Sequence, residues 1–246
     1  NEGALAAFDQ AVKLDSNYAD AYAWRARIRA ILRDNQAAIS DADRAIALDP
    51  NNQIAYYSRA NAYNFLEEFQ AALSDYDKAI ALDPNHSMAY NNRGTIYIDL
   101  GDSAKAIDDF SRAIELDSQN VLAYQNRGST YNDIQNYQQA IPDLTRAIEL
   151  NPQFADAYNS RGAAYSGIDD YQSALDDFNR ALEINPELAM AYHNRGSLYQ
   201  NNDDYQRALE DLTRSIELNS SPEADTYYNR ALVYEGIGDI EKAIDD

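Results

Sequence analysis

The sequence lacks cysteine and is poor in basic residues. Its 246 residues include no Cys, 20 Lys and Arg together, and 41 Asp and Glu, so the formal net charge is −21. Without thiols there can be no disulfides, no cysteine-ligated zinc and no thiol catalysis. The shortage of cations argues against binding to nucleic acid or to an anionic membrane surface, because both need clustered Lys and Arg. No segment approaches the roughly 18 consecutive apolar residues of a membrane-spanning helix.

Histidine is also scarce, since His86 and His193 are the two in the chain and lie far apart. We therefore expect no metal site and no cofactor. A hydrophobic content of 45% and an aromatic content of 11% are enough to build a core despite the charge. The chain begins Asn1-Glu2-Gly3 without Met, so we expect it to be a piece of a longer protein. The compartment is left open, with a slight preference for the cytoplasm.

An internal repeat organises the whole chain. Ala-Tyr pairs recur every 34 residues, and an arginine follows three residues after each tyrosine. The pairs are Ala21-Tyr22, Ala55-Tyr56, Ala89-Tyr90, Ala123-Tyr124, Ala157-Tyr158 and Ala191-Tyr192. The seventh copy, Tyr227 with Arg230, comes one residue late, and we place the extra residue in the segment 219–222. The sequence predicts a single array over 1–246, with partial units at 1–18 and 224–246 and full repeats at 19–52, 53–86, 87–120, 121–154, 155–188 and 189–223.

Each unit is predicted to contain two helices. In the third, a first helix covers 88–100, a break falls at Gly101-Asp102, and a second apolar stripe with helical spacing runs over 106–116. Asp-Pro or Asn-Pro pairs, beginning with Asp49-Pro50, are expected to end the second helices. Pro142 lies inside a second helix and should bend or loosen it.

These features resemble the tetratricopeptide repeat family. The third repeat has the family pattern at Tyr90, Gly94, Tyr97, Ala106, Phe110 and Ala113, and the fifth has it at Tyr158, Gly162, Tyr165, Ala174, Phe178, Ala181 and Pro186. The first repeat departs most, with Arg29 and Ala42 at aromatic positions. The resemblance implies an all-α fold, a right-handed superhelical solenoid of antiparallel helix pairs. Thirteen of the 20 tyrosines lie at the two first-helix aromatic positions and are expected in the core.

Two charged columns also follow the repeat. One arginine in each first helix, where the family usually has leucine, is followed sixteen residues later by an aspartate in the second helix. Short turns bring such positions together, so we predict one Arg–Asp pair per repeat, made either within a repeat or with its neighbour. The alternative is a track of arginines that binds anionic ligands.

Function in such an array is implied to lie on the concave face, lined by the first helices. The candidate groove residues are Trp24, Tyr57, Asn91, Asn92, Gln125, Asn126, Asn159, His193, Asn194, Tyr228 and Asn229. Carboxamides carry both a donor and an acceptor and can therefore hold an extended peptide backbone. This row is similar to the asparagine ladder of O-linked N-acetylglucosamine transferases. The alternative is that these amides are polar filler on a solvated face.

The expected role is a protein–protein interaction scaffold and not an enzyme. The alternative is the substrate-recognition arm of a larger enzyme, such as a glycosyltransferase, whose catalytic domain lies outside this chain. Trp24, Ile31, Ile54, Tyr57 and Phe65 are predicted to form an apolar patch that anchors a hydrophobic side chain. A clamp for a terminal carboxylate is disfavoured, since Arg27 is almost alone among acidic residues at the corresponding positions. We therefore expect a neutral or basic peptide ligand, with head-to-tail self-association through the truncated ends as a further possibility.

Overall fold

The computed structural model describes residues 2–219 and 224–246, and no strand occurs in that part of the chain. The predicted insertion at 219–222 falls mostly on residues outside it. The helices are α1 (Glu2–Leu14), α2 (Ala19–Ile31), α3 (Asn35–Leu48), α4 (Gln53–Phe65), α5 (Phe69–Leu82), α6 (Ser87–Asp99), α7 (Ser103–Leu116), α8 (Val121–Asp133), α9 (Tyr137–Leu150), α10 (Ala155–Gly167), α11 (Tyr171–Ile184), α12 (Ala189–Asn201), α13 (Tyr205–Leu218), α14 (Ala224–Gly236) and α15 (Ile240–Asp245). The all-α prediction is confirmed.

The chain divides into two compact units, Asn1–Ala123 and Tyr124–Asp246. In the first unit α2 packs on α3, α4 on α5, and α6 on α7. In the second unit α10 packs on α11, α12 on α13, and α14 on α15. We call the even-numbered member of each repeat helix A and the odd-numbered member helix B. Within each unit, helices A of consecutive repeats also contact each other, as α2 does α4 and α10 does α12.

The turn between helix A and helix B uses a residue with positive φ. Gly101 has φ +78° in this turn, and Glu67 takes the same conformation with φ +59°. The side chain of Asp102 then accepts a hydrogen bond from the backbone N–H of Lys105 and caps α7. The predicted break at Gly101-Asp102 is thus confirmed, and the left-handed residue is its physical cause.

The second helices end just before the Asp-Pro and Asn-Pro pairs, as predicted, whereas Pro142 lies inside a helix. Helix α3 ends at Leu48, just before Asp49-Pro50. Helix α9 continues through Pro142 and has 14 residues, the same length as α7 and α11. Pro142 therefore removes one backbone donor without shortening the helix.

The core is made where a small helix A residue meets a large helix B residue. A Cβ added to Gly94 would lie 2.7 Å from Phe110 Cε1, and one added to Gly162 would lie 2.7 Å from Phe178 Cε1. Both phenylalanines are fully buried. Glycine is needed at these crossings because no methyl group fits between the helix A backbone and the ring.

The prediction that thirteen tyrosines form the core is confirmed only in part. Tyr199 is buried, and the others are partly buried, several of them packed against buried residues. The buried positions also include alanines of both helices, Ile96 and Val233 of helix A, and one large residue of helix B in each of five repeats. These large residues are Tyr76, Phe110, Leu144, Phe178 and Leu212.

Candidate functional site

The predicted Arg–Asp pairs are confirmed, and each is made within its own repeat. In the third repeat, Arg93 Nε and Nη2 donate to the two carboxylate oxygens of Asp109 at 2.8 and 2.7 Å. The same pair occurs as Arg25–Asp41, Arg59–Asp75, Arg127–Asp143, Arg161–Asp177, Arg195–Asp211 and Arg230–Asp246. This fork is bidentate, the strongest geometry for such a pair. The aspartates are buried, and the arginines are largely buried.

The third guanidinium nitrogen makes a link that the sequence reasoning missed. Arg93 Nη1 donates to Asp77 Oδ1, 2.5 Å away on the preceding helix B. The corresponding contacts are Arg25–Asp9, Arg59–Asp43, Arg161–Thr145, Arg195–Asn179 and Arg230–Thr213. Each of these arginines therefore joins two consecutive repeats as well as the two helices of its own. The sequence does carry a sign of this link, because a polar residue lies sixteen or seventeen positions before each of these arginines.

The half-buried tyrosines flank these arginines. Tyr158 and Tyr165 lie one helical turn before and after Arg161, with ring centroids 5.7 and 5.9 Å from its Cζ. Hydrogen bonding to Asp109 raises the pKa of Arg93 above its usual range. Since Arg93 is already held by two carboxylates, it is poorly suited to a further anion, and the interpretation of these arginines as an anion-binding track loses its basis.

The candidate groove residues differ in exposure. Tyr57, Asn91, Gln125 and Asn159 are buried, with at most 9% of their surface exposed. Partial exposure is found for Asn92, Asn126, His193, Asn194 and Asn229. Trp24 and Tyr228 are exposed, at 38% and 63%. The buried members offer a ligand little surface.

In the first unit the amides join neighbouring helices A. Asn92 Nδ2 of α6 donates to Asn61 Oδ1 at 3.0 Å and to the Tyr57 hydroxyl at 3.2 Å, both on α4. The Tyr76 hydroxyl also donates to Asn61 Oδ1, and Asn91 donates to Asn92 Oδ1 at 3.1 Å. Asn61 is a central member that the sequence reasoning did not select.

The second unit uses the same device. Gln125 Nε2 donates to Ser160 Oγ of the next helix A at 2.9 Å. Asn194 Nδ2 donates to Asn159 Oδ1 at 3.0 Å, which joins α12 to α10. Asn229 Nδ2 donates to Ser197 Oγ at 3.0 Å. These amides are therefore not simple filler, because each joins one helix A to a neighbouring one.

The expected apolar patch near the start of the chain is divided by arginines. Trp24, Ile31 and Phe65 are exposed, whereas Tyr57 is buried. Arg27 Cζ lies 5.0 Å from the Trp24 ring centroid. Arg33 Cζ lies 4.9 Å from the Phe65 ring centroid. The surface here is mixed, with an apolar body and a cationic edge.

Within the described residues no three acidic, His or Cys side chains are placed to hold a metal ion. His86 packs its ring 4.5 Å from that of Tyr57, and its Nδ1 lies 2.6 Å from Gln53 Nε2. Burial lowers the pKa of His86. No helix in 2–219 or 224–246 is long and apolar enough to cross a membrane.

Comparison with known families and structures agrees with this geometry. Sequence models described as tetratricopeptide repeat match residues 1–53, 54–86, 87–120, 121–154, 155–188, 189–222 and 224–246. No curated protein matches the chain as a relative.

Several solved structures share the arrangement. YrrB, described as a TPR protein with an unusual peptide-binding site, is 24% identical with a TM-score of 0.64, over 77% of this chain and 97% of YrrB. MamA is 28% identical with a TM-score of 0.58, over 65% of this chain and 93% of MamA. A chain of the APC/C hetero-tetramer Cut9–Hcn1 is 18% identical with a TM-score of 0.81, over 94% of this chain and 45% of that one. With helix pairs, small-to-large crossings and repeat models along its length, the chain belongs to the tetratricopeptide repeat family.

Proposed function

We propose that this protein is an interaction scaffold that binds an extended segment of a partner protein along the surface of its helices A. Proteins of this family generally serve as protein–protein interaction scaffolds. The observation that carries the proposal is a partly exposed asparagine at the same place of helix A in several repeats. In the first unit it is Asn92, and in the second unit it is Asn194 and, one repeat further, Asn229.

The two asparagines of the second unit, Asn194 and Asn229, are oriented by the fold and keep an acceptor for a ligand. Asn194 and Asn229 donate through Nδ2 to the preceding helix A, and their Oδ1 atoms accept no hydrogen bond from any described residue. A carbonyl oxygen held in this way accepts the N–H of an extended backbone, which is a contact independent of the ligand sequence. The peptide-binding site named for YrrB supports the same type of ligand.

We propose that the ligand is neutral or basic. The net charge of −21 repels an acidic segment, and the arginines of the Arg–Asp pairs are already neutralised. The remaining ligand-facing groups of Asn194 and Asn229 are acceptors, which suit amide or ammonium donors.

The test is to capture partners from a native lysate, map the bound segment, and titrate it as a peptide by calorimetry. Replacing Asn92, Asn126 and Asn194 with Ala should weaken binding by about 1–3 kcal/mol in total. The matched control replaces Gln70, Gln138 and Gln139, exposed amides of helices B, and should leave affinity unchanged. Equal affinities for the two triple variants would refute the role of the helix A amides.

We further propose weak head-to-tail association between copies. The apolar residues Ala4 and Ala7 of α1 are exposed, and Phe8 is half-buried, whereas Ala38 at the equivalent place in α3 is fully buried. At the other end, Ile244 of α15 is 79% exposed. Head-to-tail contacts of this kind build open chains of molecules and no closed ring, so the average molecular mass should rise steadily with protein concentration. Phe8→Asp should abolish the rise in light scattering, and a constant monomer mass up to millimolar concentration would refute the association.

A further inference from the structure

A cavity of about 230 Å³ lies on the helix A surface of the first unit, and Asn92 of the proposed binding row lines one side of it. It is lined by Arg27, Ala30, Ile31, Tyr57, Asn61 and Asn92. Its volume suits one amino-acid residue with its flanking peptide group. Trp24, the chain's single tryptophan, stacks on the guanidinium at its edge.

Three side chains that line this cavity have hydrogen-bond donors with no acceptor among the described residues. Arg27 makes no ion pair or hydrogen bond with the described residues, in contrast to the doubly held arginines of the Arg–Asp pairs. Asn61 Oδ1 accepts from the Tyr76 and Asn92 side chains, but its Nδ2 has no partner in the described chain. The Tyr57 hydroxyl accepts from Asn92, and its own proton has no described acceptor.

The acceptors at this place are already occupied. Both Nδ2 hydrogens of Asn92 are used, on Asn61 and Tyr57, and its Oδ1 receives Asn91. The amides therefore cannot satisfy the free donors without breaking the bonds between helices α4 and α6. A ligand that fills the cavity must supply an oxygen acceptor, because covering these donors without pairing them costs free energy.

The apolar part of the wall selects what carries that oxygen. Ile31, which is 57% exposed, and Ala30 form this side of the cavity, and Trp24 borders the neighbouring groove. Large exposed apolar groups beside oriented polar groups are typical of an anchor for one side chain. The chain's net charge of −21 opposes a free acid.

We propose that this cavity anchors a residue of the bound segment that has a large apolar side chain, with the carbonyl oxygens of that residue and of its flanking peptide group accepting from Arg27, Asn61 and Tyr57. The side chain packs on Ala30 and Ile31, beside the Arg27 guanidinium that stacks on Trp24. This rests on the proposed function and names the residue class at one point of the ligand.

The probe is N-acetyl-leucine methylamide, compared with N-acetyl-leucine as the acid and with isoamylammonium as a donor of the same shape. Binding is followed by Trp24 fluorescence and by amide shifts in ¹H–¹⁵N spectra of the full chain. We expect saturable millimolar binding of the methylamide and at least about tenfold weaker binding of isoamylammonium. Equal binding of isoamylammonium, tenfold tighter binding of the acid, or no binding of the methylamide would overturn the proposal.

Two variants test the donors. Arg27→Gln should weaken binding of the methylamide about tenfold. Asn61→Asp keeps the oxygen that accepts from Tyr76 and Asn92 but replaces the free donor by an acceptor, and should weaken it about fivefold. Arg112→Gln, an exposed change on helix B, is the matched control and should have no effect. Unchanged affinity in both folded test variants would refute the anchor.

A further control shows whether the probe binds in this cavity or in the neighbouring groove. Trp24 also borders a groove against Phe8 and Ala11, so Phe8→Ala should leave probe affinity unchanged. A fall with Phe8→Ala and none with Arg27→Gln would place the probe in that groove and overturn the assignment. If the anchor fails while replacement of Asn194 and Asn229, which lie outside this cavity, still weakens a captured partner, the scaffold function stands without it.

Discussion

Replacing Asp109 with alanine should destabilise the protein far more than replacing other acidic residues nearby. Asp109 is buried and receives Arg93 Nε and Nη2 at 2.8 and 2.7 Å. Its loss leaves a largely buried guanidinium with one remaining partner, Asp77, whose side chain is 61% exposed. Removing one member of a buried pair costs about 3–5 kcal/mol, and we expect the lower end of that range because Arg93 is not fully buried.

The magnitude is best judged against two controls. Asp77→Ala removes the exposed end of the same network and should cost less than about 1 kcal/mol. The double variant Arg93→Leu with Asp109→Leu removes both charges at once and should recover much of the loss, since an apolar pair of similar volume substitutes for a buried ion pair. A recovery would show that the cost of Asp109→Ala is the stranded charge and not the lost contact.

The assay is urea unfolding followed by circular dichroism, together with hydrogen exchange. Repeat arrays can open one region at a time, so a single unfolding free energy does not describe them fully. Exchange rates of α6 and α7 amides report whether the third repeat opens first, as expected for Asp109→Ala. Equal stability of Asp109→Ala and Asp77→Ala, with unchanged exchange in α6 and α7, would refute the reasoning.

The remaining predictions concern packing, a turn and pH. Gly94→Ala should cost about 1–3 kcal/mol, because the new methyl group would lie 2.7 Å from the ring of Phe110, and urea midpoints will measure it. Gly101→Ala should destabilise by about 1 kcal/mol at φ +78°, whereas Glu67→Gly should relieve strain at φ +59°; thermal melts of the two should shift in opposite directions. Burial lowers the pKa of His86, so below its unfolded value of 6.5 the unfolded chain binds the proton more readily and stability falls as pH falls. The decline in urea midpoint from pH 7.5 to 5.5 should be smaller in His86→Gln, and an equal decline would contradict this assignment.

The sequence by itself determined the repeat, the helices and the existence of Arg–Asp pairs. A 34-residue period, Gly101-Asp102 and Asp49-Pro50 fix where helices begin and end, because turn and capping preferences act over a few residues. The sixteen-residue spacing across a short turn predicted one pair per repeat, but the structure decided that Arg93 pairs with Asp109 of its own repeat.

Only the tertiary structure decided which side chains are buried between repeats. The family resemblance implied that Asn91, Gln125 and Asn159 lie on the ligand face, yet all three are buried, whereas Tyr158, expected in the core, packs against buried residues but stays partly exposed. Helical spacing fixes the direction of a side chain around its own axis, but exposure depends on how closely and at what angle the next helix A lies. That angle follows from small-to-large crossings such as Gly94 on Phe110, together with the links between repeats, and it is therefore a property of the packed array.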